Sequence, residues 1–158
     1  TPWIPEDMAS ASIGQSVVQI TPLQLARAYC VFANGGWLVT PHLADQGLDW
    51  TAPSRRSKVP IKPATLAKIR EGLRKVVEDG TGYGLNGEGI PPAAGKTGTA
   101  EDSTGGPDHA WFASYAPYPN GEIVVVAFAQ NTPGGGSVHA LPMAKKVIEV
   151  WNRNRKQT

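Results

Sequence analysis

Cysteine is nearly absent from this chain, with Cys30 as the single example among 158 residues. One cysteine cannot form an internal disulfide, and we expect Cys30 to be a buried structural thiol within a helix. Long apolar runs are also missing, since no stretch approaches the roughly 20 apolar residues of a membrane-spanning helix. Neither charge dominates: 15 Lys and Arg against 13 Asp and Glu give a net charge of +2. This balance predicts no nucleic-acid partner.

Ligand sets for metals and cofactors are equally scarce. The three histidines, His42, His109 and His139, are far apart and lack paired ligand spacing, so no metal site is predicted. We expect Asp108-His109 to make a structural hydrogen bond or to be exposed to solvent. The basic cluster Arg55, Arg56, Lys58 and Lys62 lies among prolines and predicts a solvated loop.

Two helices are predicted in the first half of the chain. Thr21-Pro22-Leu23-Gln24 is a capping-box pattern, and it begins a helix over about 22–34. A second helix over about 63–79 begins at a proline and is stopped by Gly80. Residues 38–61 predict a loop or a small hairpin, and the glycine-rich stretch 80–89 predicts a mobile connector.

The second half has strand character. Strands are predicted over about 94–101, 110–116 and 122–130, and Asn120-Gly121 predicts an antiparallel pairing of the last two. The uninterrupted run Ile123–Ala129 indicates a strand covered on both faces. A final helix is predicted over about 138–152. This order predicts an α+β fold, an antiparallel sheet covered by helices, with Trp111 in its core.

One short motif, Lys96-Thr97-Gly98-Thr99-Ala100, carries possible chemistry. The backbone amide of Thr99 could stabilise a negative oxygen in a dry cleft. Gly98 allows a substrate backbone to lie along the strand edge. Lys96 supplies a positive charge, and the hydroxyls of Thr97 and Thr99 could hold a carboxylate. These residues predict a site for catalysis and substrate binding.

Gly95-Lys96-Thr97 also matches the end of a phosphate-binding Walker A loop. That loop requires a glycine five residues before Gly95, where this chain has Ile90, and a helix after the threonine. Nucleotide binding is therefore not predicted, and no cofactor is implied.

Several segments in the same order resemble the C-terminal part of the transpeptidase domain of class B penicillin-binding proteins. They are Ser12-Ile13-Gly14-Gln15, Thr21 to Ala26, Ala33 to Gly36, Asp79 to Gly82, Pro92 to Glu101, His109 to Pro117 and Asn131 to Gly136. The resemblance implies a serine β-lactamase-like fold and a serine acyltransferase that crosslinks peptidoglycan stem peptides and is acylated by β-lactams. It also implies that Lys96 to Thr99 form one wall of the active site.

The chain departs from this family in its nucleophile. None of its eight serines is followed by lysine three residues later, and the family's Ser-x-Asn is also absent. Ser16 stands where a glycine is common. We therefore expect a fragment, inactive alone, that associates with the remainder of its domain or with itself. The resemblance implies an extracytoplasmic location with an anchor outside this segment, and the alternative is a non-catalytic module that binds cell-wall peptide.

Overall fold

The computed structural model describes residues 4–15, 18–43, 55–102 and 104–156. Ser16 lies outside these ranges. The elements in chain order are α1 (Pro5–Ser12), α2 (Pro22–Ala33), β1 (Trp37–Val39), β2 (Arg56–Lys58), α3 (Pro63–Glu78), a 3-10 turn (Tyr83–Leu85), β3 (Ala94–Ala100), β4 (His109–Ala116), β5 (Ile123–Ala129), α4 (Gly135–Val138) and α5 (Ala140–Arg155).

An antiparallel three-stranded sheet in the order β3-β4-β5 forms the centre of the described structure. One face packs against α5 through a core that includes Phe112, Ala144 and Ile148. The opposite face packs against α2 through Tyr29 and Tyr115. The predicted α+β fold with a helix-covered antiparallel sheet is therefore confirmed.

β5 is apolar throughout because both of its faces are covered. Val125 and Ala127 belong to the core under α5, whereas Val124 and Val126 pack against the core under α2. Two-residue periodicity sends successive side chains to opposite faces, so a strand between two helical layers carries no polar interruption. β5 nevertheless lies at an edge of the described sheet, and β4 is its central strand.

Side-chain hydrogen bonds satisfy both ends of α2, and one of them comes from α3. Thr21 caps α2, with its hydroxyl accepting from the Gln24 amide at 3.2 Å and its amide donating to Gln24 Oε1 at 2.8 Å. At the other end, the Arg70 guanidinium of α3 donates to the carbonyls of Phe32 and Ala33 at 2.5 and 3.1 Å. A cation at a helix C-terminus satisfies carbonyls that lack intrahelical partners.

Residues 80–89 are anchored, so the prediction of a mobile connector is wrong. Leu85 is fully buried, and Lys145 Nζ of α5 donates to the carbonyls of Gly84 and Asn86 at 2.8 and 2.7 Å. The glycine-rich sequence predicts mobility, but Leu85 and Lys145 anchor the segment, and Asn152 Nδ2 donates to the Gly89 carbonyl at 2.7 Å. These contacts join residues about 60 positions apart and cannot be read from local sequence.

The basic cluster is only partly a loop. β1 and β2 form a small antiparallel hairpin, in which Arg56 lies over the Trp37 ring at 4.5 Å from the ring centroid. Lys58 Nζ lies 5.0 Å from the same centroid and donates to the Gly35 carbonyl at 2.7 Å. These cations are therefore engaged with the chain's own aromatic ring and backbone.

Two further differences concern helices. α1 was not expected from the sequence, because it is short and buries no residue. The final helix is divided into α4 and α5, with Gly134 before α4 in the left-handed region at φ +104°. Gly134 and Gly135 can adopt positive φ values because they have no side chains, and this allows the sharp turn that begins α4.

Candidate active site

The motif lies on β3, at a free edge of the described sheet. In an antiparallel pair, alternate residues direct their N–H and C=O toward the neighbouring strand. The Thr97 carbonyl accepts from Lys96 Nζ at 2.8 Å and the Thr99 carbonyl accepts from Gln15 Nε2 at 3.2 Å, so both face away from β4. The N–H of Thr99 points to the same side as its carbonyl. It therefore lies on the free edge, where an added peptide group could reach it.

The side chains of the motif separate onto the two faces of β3. The register pairs Lys96 with Ala113 and Gly98 with Trp111, on the face covered by α2. Thr97 pairs with Phe112, and Thr99 follows on the same face, which is covered by α5. The cation and the two hydroxyls thus flank the edge from opposite sides.

A groove of about 940 Å³ runs beside the motif on the α2 face. Its walls come from the end of α1 with the segment after it, from α2 and from the second half of β3. Trp111 and Phe128, whose ring centroids are 4.4 Å apart, lie at its base. Trp111 was expected to be core, but it is partly exposed because the described residues leave this part of the sheet uncovered.

Lys96 is exposed on the rim of this groove. Its ammonium donates to the carbonyl of the next residue, Thr97, which holds the positive charge along the strand edge. An ammonium has three donors, so this single contact leaves capacity for an anionic ligand.

The hydroxyl face of the motif contacts the turn after α3 and the two glycines at the start of α4. The hydroxyl oxygens of Thr97 and Thr81 are 2.7 Å apart. A Cβ at Gly136 would lie 2.2 Å from the Trp111 carbonyl oxygen and 2.7 Å from that of Gly98, and a Cβ at Gly135 would lie 2.5 Å from Thr99 Oγ1. The start of α4 can approach β3 this closely only because these two residues have no side chains.

Gln15 is a site residue that the sequence reasoning missed. Its amide reaches the end of β3, donating to the Thr99 carbonyl at 3.2 Å and accepting from the Glu101 amide at 3.4 Å. The only local signal was its place in the Ser12-to-Gln15 segment. The contact spans more than 80 positions of sequence, which no periodicity reveals.

Two further titratable residues that line the groove, His109 and Asp102, have structural partners. His109 Nδ1 accepts from the Asn131 amide at 3.1 Å, which fits the predicted structural hydrogen bond. The amide and hydroxyl of Thr104, each 2.9 Å from Asp102 Oδ1, hold the pKa of Asp102 below its usual range. Within residues 4–15, 18–43, 55–102 and 104–156, no group of three or more His, Cys, Asp or Glu could hold a metal ion.

The Walker A alternative has no structural basis. Lys96 and Thr97 lie inside a strand that continues to Ala100, and no helix N-terminus follows the threonine. Backbone amides are therefore not gathered around a phosphate as they are in that loop.

A second groove of about 490 Å³ lies between α2, the β1–β2 hairpin and the start of β5. Cys30 lines it and is half-buried. Burial raises the pKa of the Cys30 thiol, and the nearby Arg27 charge opposes this shift. A protonated thiol is a poor nucleophile. The sequence predicted a buried thiol, and Cys30 is instead half-buried because it lies at the wall of this groove.

No helix in the described part of the chain combines the length and apolarity needed to cross a membrane.

Comparison with known proteins gives the family. The model of the penicillin-binding protein transpeptidase domain matches residues 1–149. The peptidoglycan D,D-transpeptidase MrdA of Haemophilus influenzae is 35% identical over 98% of this chain and 27% of its own length. The structure of Pseudomonas aeruginosa PBP2 in complex with WCK 5153 is similar, with a TM-score of 0.82 and 32% sequence identity. This match covers 96% of this chain and 34% of the PBP2 chain.

A structure reported for a peptidoglycan synthase complex has a TM-score of 0.74 and 41% identity over 95% of this chain and 26% of that chain. This chain spans about a quarter of the length of the curated relatives. The family match covers nearly all of the chain and agrees with the class B resemblance of its motifs. The chain therefore belongs to the transpeptidase domain family of penicillin-binding proteins.

Proposed function

We propose that this chain supplies the Lys-Thr-Gly-Thr wall of the active site of a peptidoglycan D,D-transpeptidase. The observation that carries the proposal is the free edge of β3, with the Thr99 N–H directed outward beside an exposed lysine and two threonine hydroxyls. A serine from polypeptide outside these residues is the nucleophile. The chain alone is then inactive, and it requires the remainder of its domain.

The chemistry assigned to this wall is acyl transfer. The serine oxygen attacks the carbonyl carbon of a D-Ala-D-Ala amide, and the negative charge that develops on the carbonyl oxygen is stabilised by the Thr99 N–H. The C–N bond then breaks, and the terminal D-Ala leaves with a proton on its amine. The amine of a second stem peptide attacks the acyl ester and restores the serine.

The polar side chains of the motif then bind the substrate carboxylate. Thr97 and Thr99 present hydroxyls from one face of β3, and Lys96 presents its ammonium from the other. A carboxylate lying along the edge can meet all three groups, and charge-assisted hydrogen bonds are stronger than neutral ones. β-Lactams carry a comparable carboxylate beside a strained amide, so they are proposed to acylate the same serine.

The proposed location is the extracytoplasmic face of the cytoplasmic membrane, where the stem peptides are. The anchor belongs to polypeptide outside the given residues. Association of isolated chains with one another is a further expectation, because several large apolar side chains near α1 are exposed, namely Ile4, Met8, Ile13, Val18 and Ile20.

A non-catalytic module that binds cell-wall peptide is the second candidate. It is favoured by one observation, that no serine of this chain has a lysine at the third following position. The sequence of the gene product that contains this chain distinguishes the two functions. An enzyme has a Ser-x-x-Lys motif N-terminal to these residues, and a binding module does not.

The proposed function is tested by labelling the gene product that contains this chain with a fluorescent penicillin. We expect a covalent adduct on a serine outside residues 1–158, and no adduct with the 158-residue chain alone. The Lys96→Ala variant should acylate more slowly by about 10²- to 10³-fold, by analogy with loss of one oxyanion donor.

Lys75→Ala is the matched control, since Lys75 is an exposed lysine on α3 whose partner is Glu71. It should acylate at the unsubstituted rate. An adduct on the isolated chain, or equal acylation rates for Lys96→Ala and the unsubstituted protein, would contradict the proposal.

A further inference from the structure

We propose that Gly135 is a positioning residue for the Thr99 hydroxyl, and that it thereby strengthens the preference of the site for donors with a terminal carboxylate. The inference rests on the proposed function of β3 as the wall of a transpeptidase site. It assigns a role to the first residue of α4, which lies outside the lysine-threonine motif.

Gly135 lies directly beside the Thr99 side chain. A Cβ at Gly135 would be 2.5 Å from Thr99 Oγ1 and 3.7 Å from both Thr99 Cβ and Thr99 Cγ2. Non-bonded carbon atoms prefer separations of about 3.5 to 4.0 Å, so this Cβ would fit against the two carbon atoms and clash with the hydroxyl oxygen. The hydroxyl therefore occupies a place that is open only because residue 135 has no side chain.

The start of α4 is packed tightly against the sheet. Gly135 and Gly136 are buried, and a Cβ at Gly136 would lie 2.2 Å from the Trp111 carbonyl oxygen. The segment before α4 is also tied to the sheet, because the Thr132 amide donates to the Asp108 carbonyl at 2.8 Å. Rotation of one threonine side chain requires less rearrangement than displacement of this packed segment. A side chain at position 135 should therefore act on Thr99.

The rotation would move the hydroxyl. Thr99 is exposed, so its side chain has room to turn. The three staggered positions on its Cβ hold Oγ1, Cγ2 and a hydrogen atom, and a rotation of about 120° is needed to bring the hydrogen opposite a new side chain. Threonine is stiff at χ1, so the displaced hydroxyl would stay in its new position. Gly135 thus determines where the Thr99 hydroxyl lies.

The two hydroxyls of the motif are positioned by different neighbours. Thr97 and Thr99 lie on the same face of β3 because they are two residues apart. The Thr81 hydroxyl is 2.7 Å from that of Thr97, whereas the absence of a side chain at Gly135 makes room for that of Thr99. A carboxylate along the edge accepts from both hydroxyls only if both keep these positions. Displacement of the Thr99 hydroxyl removes one of the two hydrogen bonds.

The loss should depend on the charge of the donor peptide. A hydrogen bond to a carboxylate is stronger than one to a neutral carboxamide, so a donor with a terminal carboxylate gains more from the Thr99 hydroxyl. The Thr99 N–H belongs to the backbone and is unaffected by rotation of the side chain. A side chain at position 135 should therefore reduce the preference for the carboxylate and leave stabilisation of the oxyanion in place.

The test uses the gene product that contains this chain and two thioester analogues of the donor peptide. The leaving thiol of one carries a carboxylate, and that of the other carries a carboxamide. Thiol release gives kcat/KM for each, and the carboxylate-to-carboxamide ratio is the readout. We expect Gly135→Ala to lower this ratio by about tenfold, the lower end of what a hydrogen bond to a charged group contributes. A general structural defect would lower both kcat/KM values and leave the ratio unchanged.

Gly134→Ala is the matched control. Gly134 and Gly135 have φ values of +104° and +71°, so alanine is strained at both positions. A Cβ at Gly134 would meet only the Val138 side chain, at 3.5 Å, and it should leave the ratio unchanged. Gly135→Asn brings the same Cβ on a residue that adopts the left-handed region more readily, and it repeats the test if Gly135→Ala does not fold.

Thr99→Ala shows whether Gly135 acts through the hydroxyl. This variant lacks both Oγ1 and Cγ2, so it removes the hydrogen bond and also the clash. We expect Thr99→Ala to lower the ratio by the same factor as Gly135→Ala, and the double variant to lower it no further. Three results would overturn the inference: an unchanged ratio in Thr99→Ala or in the Gly135 variants, an equal fall in Gly134→Ala, or additive falls in the double variant.

Penicillin labelling of the unsubstituted protein precedes these comparisons. Absence of any adduct there refutes the proposed function. Normal labelling together with any of the three contrary results refutes only the role of Gly135.

Discussion

The Thr81 and Thr97 hydroxyl oxygens lie 2.7 Å apart, so the turn after α3 and the motif strand are joined by a hydrogen bond between these two side chains. Thr97 can donate its hydroxyl proton to a ligand carboxylate only if it accepts the bond from Thr81. A hydroxyl that accepts one hydrogen bond is polarised toward donating another. Thr81 therefore orients the proposed anion-binding hydroxyl.

Replacement of Thr81 by valine removes this donor at nearly constant volume. We expect the penicillin acylation rate of the gene product to fall by about two- to tenfold, the worth of one hydrogen bond, and Thr81→Ser to retain the unsubstituted rate. Stopped-flow or gel-based acylation kinetics measure both. Equal acylation rates for Thr81→Val and Thr81→Ser would mean that the Thr81 hydroxyl plays no part in ligand binding.

Gly136 should not tolerate a side chain. A Cβ there would lie 2.2 Å from the Trp111 carbonyl oxygen, so Gly136→Ala must displace α4 or the strands beneath it, and we expect a loss of about 1 to 3 kcal/mol in the free energy of unfolding. Gly72→Ala is the control, because an added Cβ in that α3 position meets nothing within 4 Å. It should stabilise by about 0.5 to 1 kcal/mol through helix propensity. Urea unfolding compares the two, and equal midpoints would contradict the predicted clash.

The contact between α3 and the end of α2 predicts a specific loss of stability. Arg70→Met removes two charge-assisted hydrogen bonds and leaves the Phe32 and Ala33 carbonyls without that donor, at a cost of about 1.5 to 3 kcal/mol. Lys68→Met removes an exposed positive charge from the same helix and should change stability by less than about 0.5 kcal/mol. Thermal unfolding of both variants measures the difference. Similar melting temperatures would mean that Arg70 does not hold α2.

Cys30 should react slowly with iodoacetamide in the folded protein. Burial raises the pKa of its thiol, so the thiolate fraction at pH 8 is smaller than in the unfolded chain. Alkylation at pH 8 should accelerate in urea, and the folded rate should keep rising at pH values above the usual thiol pKa.

The same shift makes a stability prediction with a defined sign. A group whose pKa is higher in the folded state contributes stability below its unfolded pKa, and this contribution is lost as the pH rises through the folded pKa. The Cys30→Ser variant should therefore lose less stability between pH 8 and pH 10 than the unsubstituted protein. Mass spectrometry measures the alkylation rates, and urea unfolding measures the stability of the two proteins. Equal alkylation rates with and without urea would contradict slow reaction of Cys30 in the folded protein. Equal stability losses for Cys30→Ser and the unsubstituted protein would contradict the pH prediction.

Local sequence was enough to predict the sheet and its helices. The capping box at Thr21, the apolar run of β5 and the Asn120-Gly121 turn are short-range signals, and each depends on residues within a few positions of one another. The family resemblance then placed Lys96 to Thr99 on a strand edge, because those motifs occur in a fixed order.

Contacts between distant segments could not be predicted. Gln15 meets Thr99 across 84 positions, and Lys145 meets Gly84 across 61. Neither pair leaves a periodic trace, and the surrounding sequence fits an exposed side chain equally well. The prediction of a mobile glycine-rich connector failed for the same reason, since the contacts of this segment with α5 join residues that are distant in sequence.

The division of the motif between two faces of β3 restricts how this wall can change. Removing or adding one residue between Lys96 and Thr99 would place the Lys96 ammonium and the Thr99 hydroxyl on the same face of the strand. Substitution of a single residue leaves this geometry intact, whereas a change in the length of the segment does not. Engineered libraries of this wall should therefore vary side chains at constant spacing, and single-codon deletions within it should be lost at the first functional selection.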